Sequence, residues 1–485
     1  DCQEINDSVL ILPVYGLLYP FSSIISASIL DNYRLKVAEI KEAIVENKIE
    51  LIHINYSHLF NEIFNSTETK SKINFLISLG LDKKIFAIPL RQITHPKNGY
   101  IAEFASGMIP LSDLKLGGQS KNLAEWYFST GGLQKRYNIL IQLSALIRAL
   151  HSKGLAYCDL SPNNIFISEK VESSNVFLID LDNLRYRTSL LNNIYTPFYG
   201  APEVISRNAP NTTMSDSYSF AVIAYELLTL NHPLIGDYVN NGEPDLEADA
   251  LGGKIPWVDH STETINERST GLPSENVIPR KLLDLFKRNF EDGLTDPLKR
   301  PSMAEWFDAL NLGLNELLKC GNNKCNLNYP YNNRRQCTFC GYTPNKVTRV
   351  QMRRWEEIET YDKTTNTVNT GFYLEPTVYD EILIDENTPK EIAAFNFLLT
   401  DTDPLVPVLK VELLIEGNEN KILLSPLRDI TFTISPRSGI TDGSKQILLS
   451  TPKKIRVVDQ TQTDKQKYML HLKDLSINQR VLTID

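Results

Sequence analysis

Residues 155–167 read LAYCDLSPNNIFI, and residues 175–184 read NVFLIDLDNL. The first stretch is a polar loop, with Asp159, Pro162, Asn163 and Asn164, that runs into a short apolar strand. The second is another short apolar run, ending in Asp180 and Asp182. Two such runs can pair as a hairpin, which would bring Asp159, Asn164 and Asp180 to one edge. An aspartate shortly before an asparagine, with a further aspartate at the end of the next strand, suits phosphoryl transfer. The first acid orients a hydroxyl nucleophile, and the amide and second acid hold Mg²⁺ against the phosphates. The alternative is that Asp159 and Asn164 only cap turns, as such residues often do.

Outward from this loop the chain changes character. In YNILIQLSALIRALHSKG (137–154), Ile139, Leu143, Leu146, Ile147 and Leu150 recur at helical spacing and Gly154 follows as a stop signal. Residues 133–320 read mostly helical, apart from a long irregular segment at 236–276. Upstream, SVLILPVYG (8–16), IISASIL (24–30), YRLKVAEI (33–40), KIFAIPLRQI (84–93) and GYIAEF (99–104) read as strands. Downstream of about residue 365, Leu409, Val411, Leu413 and Ile415 alternate with mostly charged residues, and Ile430, Phe432 and Ile434 alternate with threonines. That pattern predicts an all-β region.

Further motifs follow in order: IDLD (179–182), GAPEVIS (200–206), SDSYSFAVIAYELLT (215–229) and DPLKRPSMAEW (296–306). Together with YCDLSPNN they resemble the eukaryotic-type protein kinase family over residues 10 to about 312. The resemblance implies a bilobal fold in which Asp159 is the catalytic base, Asn164 a metal ligand and Asp180 the main Mg²⁺ ligand. It implies that Asp216 braces the catalytic loop and that Arg300 pairs with Glu203. It makes Lys36 the residue that pairs the α- and β-phosphates of ATP. Its helix glutamate partner falls among Glu42, Glu46 and Glu62, with Glu62 in LFNEIF favoured. The backbone of Glu103 and Ala105 would hydrogen-bond adenine.

This chain departs from the family pattern in several places. The expected glycine-rich loop is GLLYPFSSIISA, with Gly16 alone, and glycines are what let backbone amides approach phosphate closely. Tyr157 and Cys158 replace His and Arg, so no activation-segment phosphate would be bound there. Candidate acceptors in that segment are Thr188, Ser189 and Thr196. Ser161 replaces a lysine that steadies the γ-phosphate. Asp182 replaces a glycine, as a turn acid, as a second metal-facing acid, or as the main metal ligand in place of Asp180.

Cys320, Cys325, Cys337 and Cys340 have the spacing C-x4-C-x11-C-x2-C, while Cys2 and Cys158 stand alone. Two knuckles donating two thiolates each give a tetrahedral structural zinc site, with redox or free thiols as the alternative, and clustering without disulfide-like dispersal suggests a reducing, cytoplasmic setting. Arg334, Arg335, Lys346, Arg349, Arg353 and Arg354 lie close by, as a solvated surface or a docking patch. A kinase followed by a zinc ribbon is similar to an atypical bacterial branch of the family, including proteins encoded beside von Willebrand-type and phosphatase proteins in stress-response clusters.

Across 485 residues, 42% are hydrophobic and 22% charged, which excludes a disordered or collagen-like chain. A net charge of -9 offers no overall basic field for nucleic acid or anionic lipid. Val9–Leu30 carries no charge, but Pro13, Gly16, Pro20 and an acidic flank favour two strands joined by a turn over a membrane span.

The expected class is α+β. It comprises a kinase N-lobe at 8–105, a C-lobe at 106–315, a four-cysteine zinc ribbon at 316–345, and a linker with a β-sandwich-like interaction domain at 346–485. The expected activity is ATP-dependent serine/threonine protein phosphorylation with Mg²⁺, on a protein substrate, with a protein partner for the β domain. The alternative is a pseudokinase scaffold that binds nucleotide or partners without transfer.

Overall fold

The computed structural model describes residues 67–93, 99–115, 123–186, 193–397, 405–417, 419–437, 446–457, 467–472 and 479–484. The strands expected before residue 41, the uncharged stretch Val9–Leu30, and Lys36, Glu42, Glu46 and Glu62 lie outside the described residues. The chain divides into two compact units. The first comprises Asp1–Gly131, Asn138–Leu272 and Asp284–Phe307; the second comprises Gly132–Tyr137, Pro273–Leu283 and Asp308–Asp485.

Helix α1 (Thr67–Ser78) opens the described part of the first unit. It buries Ile73 and Leu76, and Phe75 meets the Tyr186 ring edge-on at 5.5 Å. Strands β1 (Arg91–Ile93) and β2 (Gly99–Ile101) pair antiparallel. The strand expected over 84–93 is thus realised only at its end, with one parallel bridge from Phe86 to Leu178. Pro89, which has no N–H to give a ladder, sits between these two pairings.

Helix α2 (Gly132–Ser152) carries the apolar stripe Leu140, Leu143, Ile147 and Leu150, all fully buried. Three short strands follow one another in a sheet: β3 (Met108–Pro110), β5 (Ile165–Ser168) and β6 (Val176–Leu178). β5 and β6 form the expected hairpin, with Ile165 opposite Leu178 and Ile167 opposite Val176. β4 (Leu155–Ala156) pairs with β7 (Arg185–Tyr186), closing the two ends of this loop system together.

Helix α3 (Thr213–Thr229) is buried on nearly every side, as its apolar character all round requires. Its start is fixed by a reciprocal capping box between Thr212 and Ser215. Helices α4 (Arg280–Phe290) and α5 (Met303–Glu316) follow. Within the first unit, Tyr218, Tyr225, Trp257, Phe286, Phe290 and Trp306 make one aromatic cluster, with ring centroids 5.0–5.8 Å apart. The irregular segment 236–276 holds short helices at Asp237–Asn240 and Asp245–Leu251.

Arg300 has a side chain with no solvent exposure and spans this unit. Its guanidinium donates to both Glu203 carboxylate oxygens at 2.7 Å, to Gly293 O at 2.8 Å and to Met214 O at 3.2 Å. Removing one partner of such a pair leaves a buried charge uncompensated, at a cost of about 3–5 kcal/mol. Arg300→Ala is therefore expected to lower unfolding stability by about that amount in urea titration, with Glu203→Ala next and an exposed pair such as Lys254–Asp249 near zero.

In the second unit, β8 (Leu317–Lys319) and β9 (Asn328–Pro330) pair beneath the cysteine cluster. Strands begin again at β10 (Thr348–Asp362), earlier than the all-β pattern predicts. The cause lies in the composition: Val350 and Met352 face inward and alternate with Arg349, Gln351 and Arg353, but the arginines and glutamates of this stretch mask the pattern. β10 pairs with β11 (Thr367–Leu374), with β12 (Asp380–Ile384) and with β20 (Gln479–Ile484). The sheet continues through β19 (Tyr468–Leu472), β16 (Phe432–Pro436) and β17 (Ile447–Leu449). A second sheet has the order β13 (Lys390–Ala393), β14 (Pro407–Glu416), β15 (Glu419–Pro426), β18 (Lys453–Arg456). Val350, Ile382, Phe432 and Leu482 from the first sheet and Val411, Leu413 and Leu424 from the second share one core, the arrangement of two packed sheets.

No helix among the described residues is long and apolar enough to cross a membrane.

Candidate active site and metal centre

The turn between β4 and β5 is held from below by α3. The Asp216 carboxylate accepts from the backbone N–H of Tyr157 at 2.7 Å and of Cys158 at 2.9 Å, and lies 3.0 Å from His151 Nε2. These bonds offset a strained backbone. Cys158 has φ 75° and Asp180 φ 57°, in the left-handed region where non-glycine residues cost about 1–3 kcal/mol each. Burial pushes the Cys158 thiol well above its ordinary range, so it is an inert core group. The Tyr157 hydroxyl donates to Ile179 O, tying the turn to the residue before Asp180.

The hairpin brings Asp159, Asn164 and Asp180 together. Asn164 Nδ2 donates to Asp159 O at 2.9 Å and contacts Asp159 Oδ2 at 3.4 Å, while Asn164 O accepts from Ile179 N at 3.1 Å. Thr196 Oγ1 donates to Asp159 Oδ1 at 2.7 Å. This last bond is not visible in the chain order and changes the role of Thr196: its hydroxyl is engaged by Asp159. Thr188 and Ser189 lie outside the described residues.

The electrostatics are those of crowded acids. Burial raises the Asp159 carboxyl above its ordinary value. Burial, then the neighbouring Asp182 and Asp159 charges, raises Asp180 far more, and Lys72 on α1 opposes that rise. Tyr100, on β2, is raised by burial and by Asp182 and Asp180. Two acceptor atoms here, Asn164 Oδ1 and Asp180 Oδ1, are buried without a hydrogen-bond partner. An orphaned buried carboxylate oxygen beside an orphaned amide oxygen fits a hard divalent cation, which prefers oxygen ligands.

The other residues are less gathered. Glu103 is exposed and 3.4 Å from Lys83 Nζ, and Ala105 is half-buried two residues on. Lys36 and Glu62 are outside the described residues. Ser161 is fully buried and its Oγ has no hydrogen-bond partner. Helix α1, which packs on the turn Leu181–Asn183, carries no motif in the chain pattern; only Ile73 and Leu76 at helical spacing hint at it.

In the second unit, the sulfurs of Cys320, Cys325, Cys337 and Cys340 all lie within 4.8 Å of one another. Cys320 and Cys340 are 3.5 Å apart and Cys325 and Cys337 3.8 Å. Four sulfurs about 2.3 Å from one tetrahedral ion would be about 3.8 Å apart, so the donor set fits a thiolate-bound metal. The Asn322 amide donates to Cys320 Sγ at 3.4 Å. Gly341 adopts φ 75°, and a side chain at Gly321 would strike the Tyr342 hydroxyl at 2.5 Å, so both knuckles need glycine.

Residues 118–309 match the family model described as the protein kinase domain, a span that holds Asp159, Asn164, Asp180, Glu203, Asp216 and Arg300. The chain is similar to serine/threonine-protein kinase pkn2 of Myxococcus xanthus, 32% identical over 181 residues, which is 36% of this chain and 20% of that protein. It is similar to serine/threonine-protein kinase kin-29 of Caenorhabditis briggsae, 33% over 123 residues, 24% of this chain and 14% of that protein. It is also similar to CDPK-related kinase 7 of Arabidopsis thaliana, 30% over 138 residues, 26% of this chain and 22% of that protein. The chain thus spans under a quarter of the length of each of these three relatives. Over residues 118–309, then, the chain is similar to the protein kinase domain.

Proposed function

We propose that the chain is an ATP-dependent serine/threonine protein kinase. The observation that carries this reading is the meeting of Asp159, Asn164 and Asp180 on one hairpin edge, with two of their oxygens buried and unpartnered. Asp159 orients the substrate hydroxyl and accepts its proton; Asn164 and Asp180 hold Mg²⁺. When bound, that ion neutralises charge on the phosphates. Thr196 fixes the Asp159 carboxylate, and Asp216 and Tyr157 fix the backbone that carries the two acids. Lys36, Glu62 and the backbone of Glu103 and Ala105 complete the nucleotide site in this reading. Cys320, Cys325, Cys337 and Cys340 hold a structural zinc.

The domain layout expected from the chain, with lobes at 8–105 and 106–315, a ribbon at 316–345 and an interaction domain at 346–485, belongs to the same proposal. So do an atypical bacterial origin, a cytoplasmic setting and a protein partner for the β region.

The test is transfer of radiolabel from γ-labelled ATP to the chain itself or to an added protein, with Mg²⁺ or Mn²⁺ and with Asp159→Ala as control. Equal signal from the two proteins overturns the catalytic reading. A pseudokinase scaffold is the second reading, favoured by one observation: the buried Ser161 puts no cation where the family has a lysine.

A further inference from the structure

We propose that Lys72, on α1, contacts nucleotide phosphates at the Asp180 end of the site, supplying positive charge that Ser161 cannot. The proposal rests on the nucleotide-binding part of the reading above and names a phosphate-binding residue for it. Nothing in the chain pattern marks Lys72: it sits in TETKSKINFLIS, with no family motif around it.

The placement comes from packing. Helix α1 lies against the turn Leu181–Asn183 that directly follows Asp180. It is seated there by Ile73 and Leu76, both buried, and by the contact of Phe75 with Tyr186 at the far end of the same segment. Lys72 stands three and four residues before Phe75 and Leu76, so it shares their side of the helix one turn toward the N-terminus. Helical side chains lean in that same direction. Lys72 is thereby carried on a helix packed against the turn that follows Asp180, and it is exposed.

Chemistry supplies the rest. A nucleotide enters with several negative charges and finds Asp159, Asp180 and Asp182 already there. A metal ion offsets part of that charge. Arg185, the nearest arginine in sequence, is buried and directs its Nε toward Asn183 O at 3.5 Å. Lys72 brings an ammonium on a long stem, suited to phosphate as a point charge. Because α1 packs on the Asp180 turn, the same contact that positions the metal-facing acid also positions this amine.

The experiment compares the full chain with Lys72→Met, Lys72→Arg and Lys36→Met by calorimetric binding of ATP, ADP and adenosine in Mg²⁺. Lys72→Met is expected to weaken ATP and ADP at least about tenfold, to leave adenosine within about twofold, and to be largely rescued by Lys72→Arg. A Lys72→Met protein that binds ATP like the parent, whatever Lys36→Met does, overturns the proposal. So does an equal loss for adenosine, which would mean that α1 is merely structural. If the parent binds ATP and shows the Lys72 dependence but transfers no more label than Asp159→Ala, the catalytic reading fails and the Lys72 assignment stands.

Discussion

Asp159→Ala is expected to slow phosphoryl transfer by about 10²- to 10⁴-fold, the range general-base groups contribute. In the proposed reading Asp159 is the acid that faces an incoming hydroxyl. Its Oδ1 is already held by Thr196 at 2.7 Å, and Asn164 approaches its Oδ2 at 3.4 Å. The loss should fall on kcat, with ATP affinity little changed, because Asp159 contributes no metal-facing oxygen in this arrangement. Asp180→Ala should do the opposite in part, weakening Mg²⁺-ATP binding as well as kcat. Thr196 separates positioning from phosphorylation. Thr196→Ser keeps the hydroxyl and should retain most activity, whereas Thr196→Ala frees the carboxylate and should lose about tenfold, roughly the worth of one hydrogen bond to a charged group. Steady-state rates on an external protein substrate check each value. A Thr196→Ala enzyme as fast as the parent would remove Thr196 from the site.

Loss of metal from the cysteine cluster should have the largest effect on stability. Zinc is expected at one per chain by elemental analysis, and Cys337→Ser should abolish tight binding. The apparent binding energy of such sites, about 10–16 kcal/mol in small domains, is local folding energy. Cys320, Cys337, Leu318, Tyr329 and Leu383 form one small core, so the cysteine cluster packs with β8, β9 and, through Leu383, β12. The disturbance should also reach Glu275–Ile278. Asn333 Nδ2 donates to the carbonyls of Glu275 at 2.9 Å and Ile278 at 3.0 Å, and Thr338 Oγ1 to that of Asn276 at 3.2 Å. Hydrogen exchange should therefore accelerate around residues 275–283 in Cys337→Ser, while α3 stays protected. Zinc-free protein with the same exchange pattern would refute a structural metal.

The parts of this molecule that are legible from the chain are those where local chemistry and long-range role coincide. The β5–β6 hairpin follows from two apolar runs with polar ends, α2 from its 3.6-residue stripe, and the cysteine cluster from spacing alone. The Arg300–Glu203 pair comes through resemblance, since nothing in either residue's surroundings announces a partner nearly a hundred positions away. Thr196 and Lys72 are not legible because their roles depend on where a loop and a helix come to rest. A threonine near a proline and a lysine on a polar helix look like solvated residues in any chain. The start of the β region is hidden for another reason. Val350 and Met352 alternate correctly, but three arginines (Arg349, Arg353, Arg354) and three glutamates (Glu356, Glu357, Glu359) make β10 read as a charged stretch.

The clamp by Asn333 and Thr338 has a practical consequence for dissecting this chain. Expression boundaries are usually drawn where a family match stops, here Ala309. A fragment ended there, or after Glu316, would keep Glu275, Asn276 and Ile278 but strip away the side chains that satisfy their carbonyls. The longer of the two would also lack Lys390, whose Nζ donates to Leu314 O at 2.6 Å, and Asp380, which receives the Asn315 amide at 2.9 Å. Such a fragment is expected to precipitate or to melt well below the intact chain. The shortest workable piece runs through β20, to Ile484, because that strand pairs with β10.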